Sequence, residues 1–186
     1  MPKVKCILLT ICLVPFATVA QSQQRGLPGP SAAMNRLIRA FEGSYITVER
    51  HQPDEEFPNG GIRRGTAVIR STAGGNAMIT EVHSHAPQGD LDYTGVFWWD
   101  SAAGLYRLLM CAKQFPEGCL TGATARWDGD KFVRTQEVKE SGKKVLLRDT
   151  ISFAPDSFTN VAEMSIDGGP MKELVRTTAT RRPNSQ

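Results

Sequence analysis

The sequence contains few of the features that mark a catalytic or nucleic-acid-binding protein. Its 186 residues include no Gly-x-Ser-x-Gly, His-Glu-x-x-His, phosphate-loop or dinucleotide-binding motif, so no enzymatic reaction is predicted. Histidine occurs only three times, and 22 basic residues against 19 acidic ones leave a formal charge of +3. Because this balance creates no strongly basic surface, we predict neither nucleic acid nor an acidic membrane as a partner.

Long hydrophobic runs are also missing, apart from one at the N-terminus. Lys3 and Lys5 precede an apolar stretch, Cys6–Ala20, which ends in small residues and is followed by polar ones. Its fifteen residues are fewer than the ~20 that a membrane-spanning helix needs. The pattern is typical of a secretory signal peptide. We therefore predict a signal peptide over residues 1–20, a secreted or periplasmic location, and no stable membrane insertion after cleavage.

Cysteine is scarce, and half of it lies in the predicted signal peptide. Of the four cysteines, only Cys111 and Cys119 remain in the mature chain. An even pair in an oxidising compartment favours a disulfide, so we predict that these two are joined. The same chain then divides into a disordered linker at residues 21–30, one domain over residues 31–182, and a disordered tail at residues 183–186.

One short helix and a long series of strands are predicted for the domain. Ser31 is a suitable N-cap for a helix through Phe41, whose apolar residues recur at helical spacing. After it, runs rich in Val, Ile, Thr and aromatic residues alternate with turn residues. Short loops join antiparallel neighbours, and closure removes exposed edges, so we predict an all-β, up-and-down barrel of about ten strands. The predicted strands are Ser44–His51, Ile62–Ser71, Ala77–His85, Asp92–Trp99, Leu105–Ala112, Leu120–Trp127, Lys131–Val138, Lys144–Phe153, Phe158–Ile166 and Met171–Thr180.

The alternation of side chains along each strand predicts which residues face the interior of the barrel. Pairing Phe153 with Phe158 places the apolar residues of the last strands on one face, which we take as the inside. Carrying the alternation back through each hairpin places six polar or aromatic side chains on the same face. These candidate ligand-binding residues are Arg107, Trp98, Arg134, Asp149, Glu81 and His83.

Charged side chains are costly inside a barrel unless they are paired or used. The expected register sets Arg134 opposite Asp149 and Arg107 opposite Trp98. Asp149 would then neutralise Arg134, which leaves Arg107 as the donor for an anionic group. The residue Glu173 is placed on the inner face by the same reasoning.

Several short motifs resemble those of a known superfamily. The segment Phe41–Tyr45 resembles the Gly-x-Trp opening of the calycins, with tyrosine in place of tryptophan. The stretches Gly74-Gly75, Tyr93–Asp100 and Thr178–Arg181, together with Glu81 and Gly104-Leu105-Tyr106, are similar to an uncharacterised secreted bacterial domain of that superfamily. This resemblance implies a barrel with a ligand-sized interior, and it implies no activity.

Three functions remain open at this point. The first is a binding protein for a small apolar or amphipathic anionic ligand inside the barrel. The second is a zinc- or haem-binding protein, because Glu81, His83 and His85 alternate onto one face of a strand. The third is a structural or interaction domain with a filled core. The sequence specifies neither the oligomeric state nor the identity of a ligand.

Overall fold

The computed structural model describes residues 29–115 and 118–183. The predicted signal peptide, most of the predicted linker and the last three residues of the predicted tail lie outside these residues. Within the two described ranges, no helix is both long enough and apolar enough to cross a membrane.

Within the described part of the chain, one α-helix precedes the strands. Helix α1 spans Ala32–Phe41, and the side chain of Ser31 caps it by accepting a hydrogen bond from the Met34 N–H at 3.1 Å. Its buried residues Met34, Leu37 and Phe41 form one stripe because they lie three or four positions apart. The sequence prediction of this helix and its cap is confirmed.

Ten antiparallel strands form a closed barrel, as predicted. Each strand pairs with its neighbours in sequence, and β1 pairs with β10 to close the ring. The strands are β1 Gly43–His51, β2 Gly61–Thr72, β3 Ala77–Ala86, β4 Gly89–Asp100, β5 Leu105–Ala112, β6 Cys119–Asp128, β7 Lys131–Glu140, β8 Lys143–Ala154, β9 Ser157–Ile166 and β10 Lys172–Arg181. The chain therefore follows the all-β meander that its turn spacing indicates.

Helix α1 closes one end of the barrel with an aromatic cluster. The ring of Phe41 contacts those of Phe132, Phe153 and Phe158 edge-on, with centroids 4.9–5.5 Å apart. The Tyr106 hydroxyl donates to the Ala33 carbonyl at 2.7 Å and so ties β5 to the helix. Edge-to-face contacts of this kind add to the stability that burial of the rings provides.

The seam between β1 and β10 is secured by Arg181. Its Nη2 donates to the Tyr45 hydroxyl at 2.9 Å, and its Nη1 donates to the Glu42 carbonyl at 2.7 Å. The guanidinium lies 5.0 Å from the centroid of the Tyr45 ring, within the range of a cation–π contact. Tyr45 is the last residue of the segment that resembles Gly-x-Trp, and it packs against Arg181 of β10.

The opposite end of the barrel is partly covered by the loop of residues 52–60. Phe57 is buried and stacks on His51 with ring centroids 4.1 Å apart. A side chain at Gly61 would meet this ring, because an added Cβ would lie 2.1 Å from Phe57 Cδ1. Glycine at position 61 therefore makes room for Phe57 at this end.

The predicted disulfide is confirmed at the same end of the barrel. It joins Cys111 at the end of β5 to Cys119 at the start of β6. The two residues are also directly paired across these strands. The covalent link therefore joins β5 to β6 at the end of the hairpin where their loop begins and ends.

A β-bulge in β6 overturns part of the predicted inner face. Leu108 pairs with Ala123 and Met110 pairs with Leu120, so β6 has one more residue than β5 between these pairs. One extra residue reverses the alternation for every strand before it. Four residues predicted to face inward lie on the outer wall instead: Arg107, Trp98, Glu81 and His83.

A second bulge lies in β10, between Glu173 and Val175. It turns Glu173, also predicted to face inward, to the outer wall, where its carboxylate pairs with Arg176. The prediction for Glu173 is therefore wrong for the same physical reason.

Candidate ligand cavity

The barrel encloses a cavity of about 110 Å³. The strands from β2 to β5 form a mainly apolar wall, and the strands from β7 through β10 to β1 carry most of the polar groups. The principal apolar residues that line it are Ala67, Ile69, Met78, Val82, Phe97 and Leu108, and Phe41 of α1 covers it at the helix end. The polar residues are Thr47, Glu49, Tyr93, Arg134, Asp149, Asn160 and Thr177, with Thr80 on β3. The cavity is therefore amphipathic.

Arg134 and Asp149 form the ion pair that the sequence predicted, inside the barrel and on neighbouring strands. Arg134 Nε and Nη2 lie 2.7 and 2.6 Å from Asp149 Oδ2. The other oxygen of Asp149 accepts a hydrogen bond from Asn160 Nδ2 at 3.0 Å. The Asp149 side chain is 7% exposed and that of Arg134 is 24% exposed. Each charge is thus neutralised by the other within the cavity wall.

A second buried charge, Glu49, lies on β1 and also lines the cavity. Its Oε2 lies 3.3 Å from His51 Nε2 and 3.8 Å from Arg63 Nε. Burial raises the pKa of the Glu49 carboxyl above its ordinary value, although His51 and Arg63 oppose this rise. The net effect shows that the neighbouring groups do not fully compensate for the loss of hydration.

Tyr93 lines the cavity together with the charged residues, and their charges affect its pKa. Burial raises the pKa of its phenol to about 12, and the charges of Arg134, Glu49 and Asp149 all act on it. These four residues all line the same cavity. The phenol stays protonated at neutral pH and can donate a hydrogen bond.

Two polar atoms that line the cavity have no hydrogen-bond partner among the described residues. These atoms are Thr47 Oγ1 and Asn160 Oδ1. Thr47 is 4% exposed, and a buried polar atom without a partner is destabilising. Both residues line the cavity, and each keeps one buried oxygen without a partner among the described residues.

Arg107 and Trp98 do not line the cavity. They are paired across β4 and β5 as expected, but on the outer wall. Arg107 Nε donates to Asp100 Oδ2 at 3.1 Å, and its side chain is 39% exposed. Arg107 therefore forms an ion pair with Asp100, the last residue of β4. The interpretation of Arg107 as an interior anion donor is wrong because of the bulge in β6.

Glu81, His83 and His85 share one face of β3, as the sequence indicates, and this face is the outer wall. His83 Nδ1 lies 2.8 Å from Asp92 Oδ1, and His85 Nδ1 contacts Asp90 Oδ1. Glu81 pairs with Arg70 at 3.5 Å. Across residues 29–115 and 118–183, no group of three or more His, Cys, Asp or Glu side chains is arranged to hold a metal ion. The metal hypothesis therefore gains no support from this arrangement.

The cavity residues that sequence reasoning missed include four of the polar ones: Thr47, Glu49, Tyr93 and Asn160. No such signal marks Glu49, because the apolar residues Ile46 and Val48 face outward on β1 while Thr47 and Glu49 face the interior. The position of Tyr93 became visible only once the bulge was known. Asn160 shares its strand face with Phe158 and Ala162, which were correctly placed inside.

Comparison with known proteins identifies the fold and no closer relationship. No protein-family model matches the sequence, and no curated protein matches it. The S-type phycobiliprotein lyase CPES from Guillardia theta is similar in structure, with a TM-score of 0.54 and 10% identity over 81% of this chain and 93% of that chain. Rv2717c from M. tuberculosis has a TM-score of 0.57 and 14% identity over 83% of this chain and 99% of that chain. At these identities the likeness shows the fold alone, which is a closed antiparallel β-barrel of ten strands.

Proposed function

We propose that this protein binds a small amphipathic molecule inside its barrel. The observation that carries the proposal is the amphipathic cavity with two buried polar atoms, Thr47 Oγ1 and Asn160 Oδ1, that lack partners among the described residues. An apolar body would pack against the wall formed by β2 to β5, and a polar group would satisfy the opposite wall. A domain built only for a filled core would have no reason to keep these atoms unpaired.

The size of the cavity limits the size of the ligand. An engineered cavity of about 150 Å³ admits benzene, so a cavity of about 110 Å³ suits a body of roughly four or five non-hydrogen atoms. The very best ligands of this size gain about 1.5 kcal/mol per non-hydrogen atom. We therefore expect dissociation constants between about 1 μM and 1 mM.

The charge of the ligand needs a different interpretation from the one that the sequence suggested. The preference for an anion depended on Arg107, which lies on the outer wall and pairs with Asp100. Arg134 remains inside, but Asp149 neutralises it at 2.6 Å. We therefore propose an amphipathic ligand that need not carry an anionic group.

Ligand-observed NMR on the purified mature protein tests this proposal. The probes are 1-butanol, n-butylamine and butyrate, and we expect at least one of them to show saturable binding. Gly95 lines the cavity and an added Cβ there would make only ordinary contacts, the nearest at 3.6 Å. A Gly95→Leu substitution should therefore fill the cavity and abolish binding in a folded protein.

The matched control is Thr94→Leu, because Thr94 precedes Gly95 on β4 and is exposed on the outer wall. This variant should bind the probes as the parent protein does. Absence of binding by every probe, or equal binding by the Gly95→Leu and Thr94→Leu variants, would refute an interior ligand site.

We also propose that the chain is exported. The signal-peptide pattern at residues 1–20 supports this, and the Cys111–Cys119 disulfide fits an oxidising compartment. Intact-mass measurement of protein from its native source tests it. We expect a chain that begins after Ala20, and a full-length cytoplasmic chain would contradict the proposal.

A further inference from the structure

The charges inside the cavity point to one class of ligand. We propose that the molecule bound in the barrel is a small organic cation whose ammonium group pairs with Glu49. This inference rests on the proposed function, because it names the chemistry of the ligand that the cavity holds.

The first argument is the balance of charge along the cavity wall. The ionisable side chains of ordinary acidic or basic character that line it are Glu49, Asp149 and Arg134. Arg134 and Asp149 form a close pair, with two contacts of 2.6 and 2.7 Å, and cancel each other. Glu49 remains as a carboxylate that faces the cavity. A cationic ligand would complete this balance, whereas an anionic one would be repelled.

The second argument is that the nearest cation, Arg63, is already engaged elsewhere. Its Nη1 donates to the Gly89 carbonyl at 3.0 Å, and its Nη2 contacts Glu56. Its Nε lies 3.8 Å from Glu49, beyond hydrogen-bond distance, and has no partner among the described residues. The Arg63 charge is thus divided between two carboxylates, and it does not line the cavity.

The third argument is the set of acceptors around Glu49. Thr177 on β10 pairs with Glu49 on one side and with Asn160 on the other, so the three side chains form a row on the inner wall. The contacts of Glu49 run through Oε2, which leaves Oε1 to accept from a ligand. Asn160 Oδ1 is buried without a partner among the residues described. An ammonium group has three N–H donors and no acceptor, which matches such a row.

The fourth argument is the aromatic surface of the same cavity. The rings of Phe41, Phe97, Phe158 and Tyr93 line the cavity. Aromatic faces attract organic cations and also pack against the apolar body of such a ligand. The raised pKa of Glu49 is consistent with a carboxylate that lacks a full counter-charge.

A comparison of three probes of similar size tests the inference. Calorimetric titration with n-butylamine, 1-butanol and butyrate at pH 7.5 should give at least tenfold tighter binding of the amine than of the alcohol. Butyrate should bind most weakly. The Glu49→Gln variant should lose at least tenfold in affinity for the amine and bind 1-butanol unchanged. The control Glu81→Gln lies on the outer wall and pairs with Arg70, so it should behave as the parent protein.

The pH dependence of binding to the unmodified protein gives an independent readout. The groups that face Glu49 are His51 on the same strand, Arg63 on β2, Glu56 in the loop of residues 52–60 and Tyr93 on β4. If the ammonium pairs with ionised Glu49, amine affinity should rise with pH between pH 4.5 and 7.5, and binding should release protons. Affinity for 1-butanol should stay constant. If the Glu49→Gln variant fails to fold, this pH dependence tests the pairing of the ammonium group with Glu49.

The possible failures are distinguishable. Binding of none of the probes would overturn the proposed function. Equal binding of amine and alcohol with no proton release, or an unchanged preference for the amine in a folded Glu49→Gln variant, would overturn only the assignment of a cationic ligand.

Discussion

The interior pair of Arg134 and Asp149 allows a quantitative prediction about stability. We consider three variants: Arg134→Met, Asp149→Leu and the double substitution. Each single change leaves one charge in the wall of the cavity, with Asp149 still bonded to Asn160 in the first case. The double substitution replaces both charged side chains in the cavity wall with apolar ones.

The size of the effect follows from the burial of the pair. Removal of one partner of a buried ion pair costs about 3–5 kcal/mol of unfolding free energy. Arg134 is 24% exposed and Asp149 is 7% exposed, so we expect the lower value, about 3 kcal/mol, for each single variant. Replacement of both charges by apolar side chains is often close to neutral. The double variant should therefore cost no more than either single variant, which gives a coupling energy of at least about 3 kcal/mol.

Urea unfolding at pH 7, followed by circular dichroism and fluorescence, measures all four proteins. The slope of free energy against urea must stay constant across the set for the comparison to hold. If the two single effects add to within about 0.5 kcal/mol of the double effect, the side chains are not coupled, and the reasoning about a neutralised interior pair is refuted.

Two further predictions concern the disulfide and Glu49. The Cys111→Ser/Cys119→Ser variant removes a covalent link between residues that are eight positions apart. This loss should cost about 2.5 kcal/mol of unfolding free energy in the loop-entropy model, and thermal unfolding measures it. Free thiols in the denatured, unreduced parent protein would contradict the disulfide. Glu49 has a raised pKa in the folded state, so its stabilising protonated form is present at low pH and lost as pH rises through that pKa. The stability of Glu49→Gln relative to the parent should therefore increase from pH 4 to pH 7, and a constant difference in unfolding free energy would contradict this.

The strand order could be predicted from the sequence because turn residues recur at regular spacing. Pairs such as Trp127 with Phe132 and Phe153 with Phe158 were predicted correctly from hairpin length. Arg134 and Asp149 were placed correctly because no bulge separates β7 from β8. Local turn chemistry is thus sufficient for this half of the barrel.

The earlier strands could not be oriented in this way, because alternation was carried across the bulge in β6. Gly122 lies there with φ +88°, and an isolated glycine inside a strand is itself an indication of a bulge. A second signal was available in β5, where Tyr106, Leu108 and Met110 form an uncharged set and the alternate set contains Arg107. In β5 the uncharged face is the better indicator of the inside than the alternation carried through the hairpins.

The interior polar groups were the hardest part to predict. Glu49 is an acidic residue on the first strand, and nothing in its neighbourhood of sequence distinguishes it from a solvated glutamate. Its burial results from contacts with Arg63 and His51 at the end of the barrel that the loop of residues 52–60 covers. Such contacts depend on closure between distant strands, which sequence periodicity does not describe.

The position of α1 has a kinetic consequence for any molecule held inside. Because its aromatic cluster seals one mouth, exchange with solvent must take place at the other mouth, beside Phe57. Arg63 anchors the loop there through Glu56 and also holds the Gly89 carbonyl of the next hairpin. The residence time of a guest would then be governed by how often this anchored loop swings aside, and not by the strength of the interior contacts alone.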